Sequence, residues 1–294
     1  MVTAASLRTR LVHPVVLVLI GIASVQIGAT FAKSLFDEVT PTAMVWLRLS
    51  LSALILLAIT RPRIRGLARR DWLVVLAFGA SLGMMNWTIY QAFARLPIGI
   101  AVTIEFIGPL TIALVSSRRA RDLVWVALAA AGVVLLGLEP GPISIVGVLF
   151  ALAAGACWES YIVLSKATGA RWEGLDGLAL ASTVAAVALT PAAMAYADGI
   201  GSPHVWLVGL MVGLMSSVVP YSLDLVALRS IKPSLYAILM SLEPAAGALA
   251  AIVVLHEGLS LQQWLAIVCV VIASAGATTT GKPEHHVPAE STPA

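Results

Sequence analysis

Ten apolar stretches, each close to the length needed to cross a bilayer, constrain this chain more than any other feature. They cover residues 14–34, 42–60, 72–93, 98–117, 122–138, 143–164, 176–197, 204–226, 233–255 and 261–280. A spanning helix needs about 20 mostly apolar residues, and the breaks between the stretches are rich in Gly, Pro, Asp and Ser, which favour turns. The first stretch could be mistaken for a secretory signal, but the similar stretches after it favour an uncleaved helix. We therefore predict ten transmembrane helices.

The composition agrees with lipid as the surrounding solvent. Apolar residues make up 60% of the chain and charged residues 11%, whereas a soluble domain carries about 25% charged residues. The stretches are apolar on all sides and lack the polar face of a helix in water. No Lys/Arg tract has interleaved aromatic residues, so we expect no nucleic-acid partner. Cys157 and Cys269 have no metal-ligand spacing, and we predict that both are free.

The Lys and Arg residues predict the direction of the chain through the membrane. With the N-terminus in the cytoplasm, fifteen of them fall on the cytoplasmic side, namely Arg8, Arg10, Arg61, Arg63, Arg65, Arg69, Arg70, Arg118, Arg119, Arg121, Lys166, Arg171, Arg229, Lys232 and Lys282. Only Lys33 and Arg95 fall outside, and Arg48 lies within a helix. Because cytoplasmic loops carry the surplus of positive charge, we predict that residues 1–13 and a disordered tail, residues 281–294, are both cytoplasmic. His285 and His286 in the tail could bind a metal, but we favour a loose tail.

The two halves of the chain resemble each other. The block LPIGIAVTIEFIGPL in the fourth stretch matches IKPSLYAILMSLEPA in the ninth, which aligns Pro109 with Pro244. Residues 14–138 and 143–280 then form two repeats of five helices. Because five is odd, the second repeat must enter the membrane upside down, an arrangement that places the substrate of a transporter between the halves. The predicted fold is an all-α membrane protein with two inverted five-helix repeats around a central cavity.

A carboxylate accompanies each of the two aligned prolines. Glu105 lies four residues before Pro109, and Glu243 directly precedes Pro244. Proline lacks an N–H and clashes with the carbonyl four residues earlier, and broken backbone in a membrane is tolerated only inside protein or beside a water-filled cavity. Ionisable groups within spans also mark pathways. We predict that these four residues line a substrate pathway. The alternative is structural, with each glutamate protonated and tied to the kinked backbone.

Other polar and aromatic side chains within the stretches extend the predicted pathway. They are Gln26, Asn86, Trp87, Tyr90, Trp158 and Tyr161. Aromatic faces can hold an ammonium group, although the same residues also suit a packed core or an interfacial belt, and the two amides could equally bridge helices. Arg48 could receive a substrate carboxylate, but we favour snorkelling of its charge to the outer surface.

At these residues the chain resembles a known family. The blocks LPIGIAVTIEFIGPLTIALVSSRR and LMSLEPAAGALAAIVVLHEGLS look like the paired signatures of the ten-helix, EamA-type members of the drug/metabolite transporter superfamily. Within that group the chain is most similar to bacterial inner-membrane exporters of threonine and homoserine, and it is also similar to exporters of aromatic amino acids. The resemblance covers about residues 14–280. It implies a central cavity opened alternately to each side, and it adds Tyr221 and Met240 to the predicted pathway.

The resulting prediction is a secondary transporter that exports threonine, homoserine, aromatic amino acids or related small metabolites across the bacterial inner membrane by alternating access. A coupled proton is left open. The competing hypothesis is a multidrug or lipophilic-cation exporter of the same superfamily, and a passive channel is a further alternative. The sequence has no HExxH, Walker or Ser-nucleophile motif. We therefore predict neither an enzyme nor an ATP-driven pump, and we expect no cofactor and no metal.

Overall fold

The computed structural model describes residues 13–62, 64, 68–108, 110–111, 123–137, 144–172, 174–228 and 233–280, and the regular structure in them is helical. The helices are α1 (Pro14–Lys33), α2 (Pro41–Thr60), α3 (Arg69–Phe93), α4 (Ile98–Glu105), α5 (Leu123–Gly137), α6 (Ile145–Gly169), α7 (Asp176–Ala195), α8 (Pro203–Gly213), a π-helix (Leu214–Val218), α9 (Val219–Leu228), α10 (Pro233–Met240), α11 (Glu243–Leu255) and α12 (Leu261–Thr280). The all-α prediction is confirmed for this part of the chain.

Seven helical segments are long and apolar enough to cross a membrane. They correspond to the first, second, third, sixth, seventh, eighth and ninth predicted stretches. Shorter apolar helices occupy the fifth and tenth stretches. In the fourth stretch, residue 109 and residues 112–117 lie outside the described residues. A chain with several membrane-spanning helices is therefore established, and the count of ten remains a prediction.

Local sequence explains where several helices begin. The Ser144 hydroxyl accepts a hydrogen bond from the Gly147 N–H at 3.1 Å, at the first turn of α6. Before α12, the Ser260 N–H donates to the Gln263 side chain at 3.0 Å and the Gln263 N–H donates to the Ser260 hydroxyl at 3.2 Å. This reciprocal pair is a capping box, which satisfies two backbone donors that a helix start leaves unpaired.

The distribution of polarity is the reverse of that in a soluble protein. Large apolar side chains on the outside are widely exposed, for example Leu54 at 64% and Val253 at 74%. Meanwhile Gln26, Arg48 and Asn86 are buried with the core. Lipid as the outer solvent explains both observations, because it accepts apolar surface and rejects charged or amide groups.

Helix packing brings the two halves of the chain together throughout. α3 packs against α6 and α7, and α1 packs against α9 and α11. α2 packs against α7 and α8, α4 against α6 and α11, and α5 against α12. Small residues permit the close approaches: a Cβ added to Gly79 of α3 would lie 2.7 Å from the Ala181 carbonyl oxygen of α7. Helices in membranes use such small residues because packing contacts drive their association.

Contacts at the two ends of the bundle fix the relative directions of the helices. At one end, Lys33, the last residue of α1, forms an ion pair with Glu257 and donates to the Leu96 carbonyl at 2.8 Å. The start of α6 reaches the same end, because a Cβ on Gly147 would lie 2.8 Å from Leu96. At the other end, Arg171 after α6 forms an ion pair at 3.3 Å with Asp71 at the start of α3. α6 therefore begins at the end of the bundle where α1 and α3 finish.

Candidate functional site

Two short helices stop inside the bundle, and a glutamate lies at or directly after each break. α4 ends at Glu105, and the backbone turns at Phe106 before helical residues follow at 107–108 and 110–111. α10 ends at Met240, residues 241–242 form a turn, and α11 begins at Glu243. Because regular helical hydrogen bonding lapses at both places, backbone groups become available there for other partners.

Pro244 lies in the first turn of α11, where a helix does not need the missing N–H. The ninth stretch is therefore two helices that meet at a turn, with the break directly before Glu243 and Pro244. The aligned Pro109 lies outside the described residues.

Glycines hold the interrupted helices against their neighbours. A Cβ added to Gly99 of α4 would lie 2.7 Å from the Ala248 Cβ of α11. On the other side of α4, a Cβ on Gly108 would lie 2.3 Å from the Gly155 carbonyl oxygen of α6, and a Cβ on Gly155 would lie 2.5 Å from the Glu105 carbonyl oxygen. Only hydrogen fits at these positions, so α4 and its break are clamped between α6 and α11.

The two glutamates are buried in the same region. Glu105 is 9% exposed and Glu243 is 8% exposed. The Glu105 carboxyl interacts electrostatically with Glu243 and with Arg48. Glu243 of α11 and Arg48 of α2 therefore lie within electrostatic range of Glu105 in α4, although the three residues are far apart in sequence.

Arg48 corrects one interpretation of the sequence. Its side chain is 7% exposed, so the prediction that it snorkels to the outer surface is wrong. The guanidinium instead points into the bundle, where Nη1 donates to the Tyr90 hydroxyl at 3.3 Å and Nη2 donates to the Ser216 carbonyl at 2.8 Å. It also lies 5.6 Å from the centre of the Tyr90 ring, within cation–π range. Arg48 thus joins α2 to α3 and to the π-helix.

The π-helix Leu214–Val218 is held by side chains from two other helices. Ser24 of α1 donates to the Met215 carbonyl at 2.6 Å. The Ser52 hydroxyl of α2 donates to the Arg48 carbonyl of its own helix at 2.6 Å and also lies 3.1 Å from the Gly213 carbonyl just before the π-helix. Ser24 and Arg48 therefore satisfy carbonyls that a wider helical turn leaves poorly paired. π-helical turns within α-helices occur frequently at functional sites.

Two of the predicted aromatic residues lie next to the ionisable groups. Tyr90 is fully buried and contacts Arg48 as described. Trp158 of α6 packs edge-on against Phe106, the residue after Glu105, with ring centroids 5.0 Å apart. Trp158 therefore borders the α4 break, and Tyr90 borders Arg48.

The other two predicted aromatic residues have different neighbours. Trp87 donates from its indole nitrogen to the Thr42 hydroxyl at 3.0 Å and meets Phe150 edge-on at 5.6 Å. Tyr161 stacks on Phe78 at 5.2 Å in a separate apolar cluster. These contacts join α3 to α2 and to α6.

The structure places the remaining predicted site residues as follows. Gln26 is buried in α1, and its Oε1 lies 2.9 Å from the Cβ position of Gly247 in α11. The Asn86 amide donates to a carbonyl of its own helix at 2.8 Å. Tyr221 is half-buried in α9, and Met240 is half-buried at the end of α10, where it packs against two apolar clusters.

Metal-ligand and cysteine chemistry add nothing to this site. Among the residues that the structure describes, no group of three or more His, Cys, Asp or Glu side chains could hold a metal ion. Cys157 and Cys269 are free and half-buried, as predicted. His285 and His286 of the tail lie outside the described residues.

Sequence reasoning ranked Arg48 too low, although a signal was present. Arg48 and Ser52 are four residues apart, so they share one face of α2. A charged residue and a hydroxyl on one face of an otherwise apolar helix indicate a buried polar contact. Ser216 carried no comparable signal, because nothing in its surrounding sequence marks a π-helical turn.

Comparison with known proteins identifies the family. The EamA-like transporter family model matches residues 145–279. The chain is 38% identical to the threonine/homoserine exporter RhtA of Escherichia coli (strain K12) over 278 residues, which cover 93% of this chain and 94% of the relative. It is equally similar to the protein of the same name from Salmonella typhimurium (strain LT2), with the same coverage.

A crystal structure of another protein shares the fold. It superposes with a TM-score of 0.63 over 90% of this chain and 97% of the other, at 21% sequence identity. The relatives and the seven long apolar segments confirm a multi-pass protein of the bacterial inner membrane. The sequence similarity over nearly the whole chain shows that it belongs to the EamA-like transporter family.

Proposed function

We propose that this protein is a secondary transporter that exports threonine, homoserine or a closely related amino acid across the inner membrane by alternating access. The observation that carries the proposal is the burial of Glu105 and Glu243 at the breaks in two contacting helices, with the Arg48 guanidinium within electrostatic range of Glu105. The relatives, named as threonine/homoserine exporters, give the substrate class. The proposal also includes aromatic amino acids as candidate substrates.

The chemistry of the site suits a zwitterion. A substrate ammonium group needs carboxylates or aromatic faces, and Glu105, Glu243 and Trp158 supply these next to the α4 break. Buried ionisable groups within spans commonly line substrate and ion pathways. A buried guanidinium in the same region opposes the entry of a lipophilic cation, so the site favours an amino acid over the cationic drugs of the competing hypothesis.

Three observations support an inverted-repeat architecture for the transporter. α4 (Ile98–Glu105) and α10 (Pro233–Met240) each have 8 residues, and the alignment of the two halves superimposes them end to end. The helix contacts stay the same when the halves are exchanged: α3 with α6 becomes α8–α9 with α1, and α4 with α6 becomes α10–α11 with α1. Finally, α6 starts at the end of the bundle where α1 finishes. Inverted halves of this kind can rock about a central site.

The same architecture supports the predicted domain bounds and orientation. The matched family region, residues 145–279, coincides with the second repeat, residues 143–280. The Arg171–Asp71 ion pair joins two segments that the positive-inside count assigns to the cytoplasm, and Lys33 and Leu96 meet at the opposite end. We infer that the Lys33 end faces outward and that both termini are cytoplasmic.

A substrate panel in proteoliposomes tests the proposed function. Purified protein is reconstituted and loaded with unlabelled substrate, and counterflow of labelled threonine, homoserine and tryptophan is measured with and without an imposed pH gradient. We expect exchange of threonine or homoserine above the rate of protein-free vesicles, and a rate change with the gradient would assign a coupled proton. Failure of every amino acid, with transport of lipophilic cations, would instead establish the multidrug hypothesis. Single-channel currents would identify a channel.

A further inference from the structure

We propose that Arg48 binds the carboxylate of the transported molecule, so that the protein selects substrates with a free carboxylate next to an ammonium group. The inference rests on the proposed function and assigns a binding role to a residue that the sequence pattern placed at the surface. Arg48 lies in α2, outside the two interrupted helices that carry Glu105 and Glu243. Its guanidinium can bind a carboxylate, whereas the two glutamates can bind an ammonium group.

The guanidinium retains unused hydrogen-bond donors. Of its five N–H groups, one on Nη1 is directed to the Tyr90 hydroxyl and one on Nη2 to the Ser216 carbonyl. The Nε atom is buried and has no hydrogen-bond partner. A buried donor without a partner costs free energy, and a carboxylate that accepts from Nε and one Nη would satisfy it in the planar, two-pronged geometry that Arg favours.

The charge of Arg48 is also uncompensated at close range. Among the residues with described side chains, no carboxylate lies within the 4.0 Å of an ion pair with it. Its partners are a neutral hydroxyl and a neutral carbonyl, and Glu105 acts on it only from a greater distance. Buried charges are normally paired, so an anion that arrives with the substrate completes the arrangement.

The surroundings favour a small zwitterion over a simple anion. A lone anion would pair with Arg48 alone and would leave the Glu105 and Glu243 carboxyl groups without a partner of opposite charge. An amino acid places its carboxylate at Arg48 and its ammonium group toward the glutamates, so each pole faces the opposite charge. Ser216 Oγ, on the residue whose carbonyl holds Arg48, is likewise buried without a partner. It is available to a carboxylate oxygen or to a substrate hydroxyl.

Competition assays on the unmodified protein test the inference without any risk of misfolding. Counterflow of labelled threonine is measured against unlabelled threonine, threonine amide, threoninol and N-acetylthreonine. The amide and the alcohol lack the carboxylate and keep the ammonium group. We expect each to compete about 100-fold more weakly than threonine, as expected when a buried charged partner is left unpaired. Equal competition by either compound overturns the inference.

Variants of Arg48 provide a second test of the inference. Arg48→Gln should raise the threonine concentration for half-maximal exchange by about 100-fold and remove the preference for threonine over its amide. Arg48→Lys should retain part of that preference, because the charge remains while the two-pronged geometry is lost. Arg171→Gln is the matched control, since it removes a partly exposed guanidinium at the cytoplasmic end. It should behave as wild type.

The outcomes separate the two proposals. If wild-type protein exchanges no amino acid, the proposed function fails and this inference fails with it. If wild-type protein exchanges threonine but an Arg48→Gln protein that elutes as a folded, monodisperse peak keeps its preference for the free carboxylate, only the role of Arg48 is overturned. If the variant does not fold, the competition series on the wild-type protein decides.

Discussion

Gly155→Ala tests whether the close packing at the α4 break is required. A methyl group on residue 155 would lie 2.5 Å from the Glu105 carbonyl oxygen and 3.2 Å from the Gly108 nitrogen. Both are backbone atoms, so no side chain can rotate away. To restore the 3.4 Å of an ordinary van der Waals contact, α6 and α4 must separate by about 0.9 Å, and the backbone that carries Glu105 moves with them.

The expected cost follows from overpacking. Forcing a methylene-sized group into a packed interior costs about 1–3 kcal/mol, while replacing Gly by Ala within a helix gains about 1 kcal/mol. Gly169→Ala is the matched control, because Gly169 lies in the same helix and nothing lies within 4 Å of its Cβ position. Gly169 is the last residue of α6, where the gain in helix propensity is smaller than at an interior position. The difference in stability between the variants therefore gives a lower bound on the overpacking cost of about 1–3 kcal/mol.

Thermal unfolding in detergent and threonine counterflow measure the two consequences. We expect Gly155→Ala to melt several degrees below Gly169→Ala, at about 2–4 °C for each kcal/mol. Because a displacement of about 1 Å in a positioned group can cost roughly 100-fold in rate, its counterflow should fall about 10- to 100-fold. Melting and transport equal to those of Gly169→Ala would refute the argument that this contact positions Glu105.

Three further variants probe the proposed pathway and the end of the bundle that contains Lys33. Glu105→Gln should lower the rate of threonine counterflow at least about 10-fold, since a hydrogen bond to a charged group contributes about 1.5–3 kcal/mol. It should also alter the pH dependence of that rate. A rate and pH dependence equal to those of the wild type would assign a structural role to Glu105. Glu257→Gln breaks the ion pair with Lys33, in which each side chain is 19% exposed. It should lower stability by about 1 kcal/mol, with a loss that shrinks in high salt. No change at low salt would show that the pair contributes nothing. Gly199→Ala should destabilise the protein by more than about 1 kcal/mol, because φ of Gly199 is +82° and the added Cβ would lie 1.9 Å from a backbone oxygen. Gly201→Ala is the control, because there is open space around Gly201, and it should not destabilise the protein. Equal melting temperatures of the two variants would contradict this prediction.

The positions of the long helices could be predicted because the physics of lipid acts on local sequence. A span requires an apolar stretch of nearly fixed length, and turn-forming residues mark its ends. The predicted bounds of the second stretch, 42–60, therefore differ by one residue from Pro41–Thr60. The division of the ninth stretch was only partly foreseen. The sequence marks a break at Pro244, but a proline alone does not show that the helix before it ends at Met240.

The surroundings of Arg48 could be predicted only in part. Arg48 and Ser52 mark one polar face of α2, but the sequence does not show which residues this face contacts. Tertiary contacts decide this, such as the close approach of α8 to α2, where a Cβ added to Gly213 would lie 3.2 Å from the Arg48 carbonyl oxygen. The electrostatic interaction of Arg48 with Glu105 depends in turn on this packing. Contacts of this kind join residues far apart in the chain, so a local pattern does not identify the partners.

Thiol accessibility at Met240 tests the central claim, that the helix breaks line a water-filled pathway reached from both sides of the membrane. Met240→Cys is made in a protein with Cys157 and Cys269 replaced by alanine, with Leu54→Cys as a lipid-facing control. Membrane-impermeant thiol reagents are applied to vesicles of each orientation, with and without threonine. The account predicts labelling at position 240 from both sides, slowed by threonine, and no labelling at position 54. Position 240 staying unlabelled from both sides, or being labelled at a rate that threonine does not change, would contradict it.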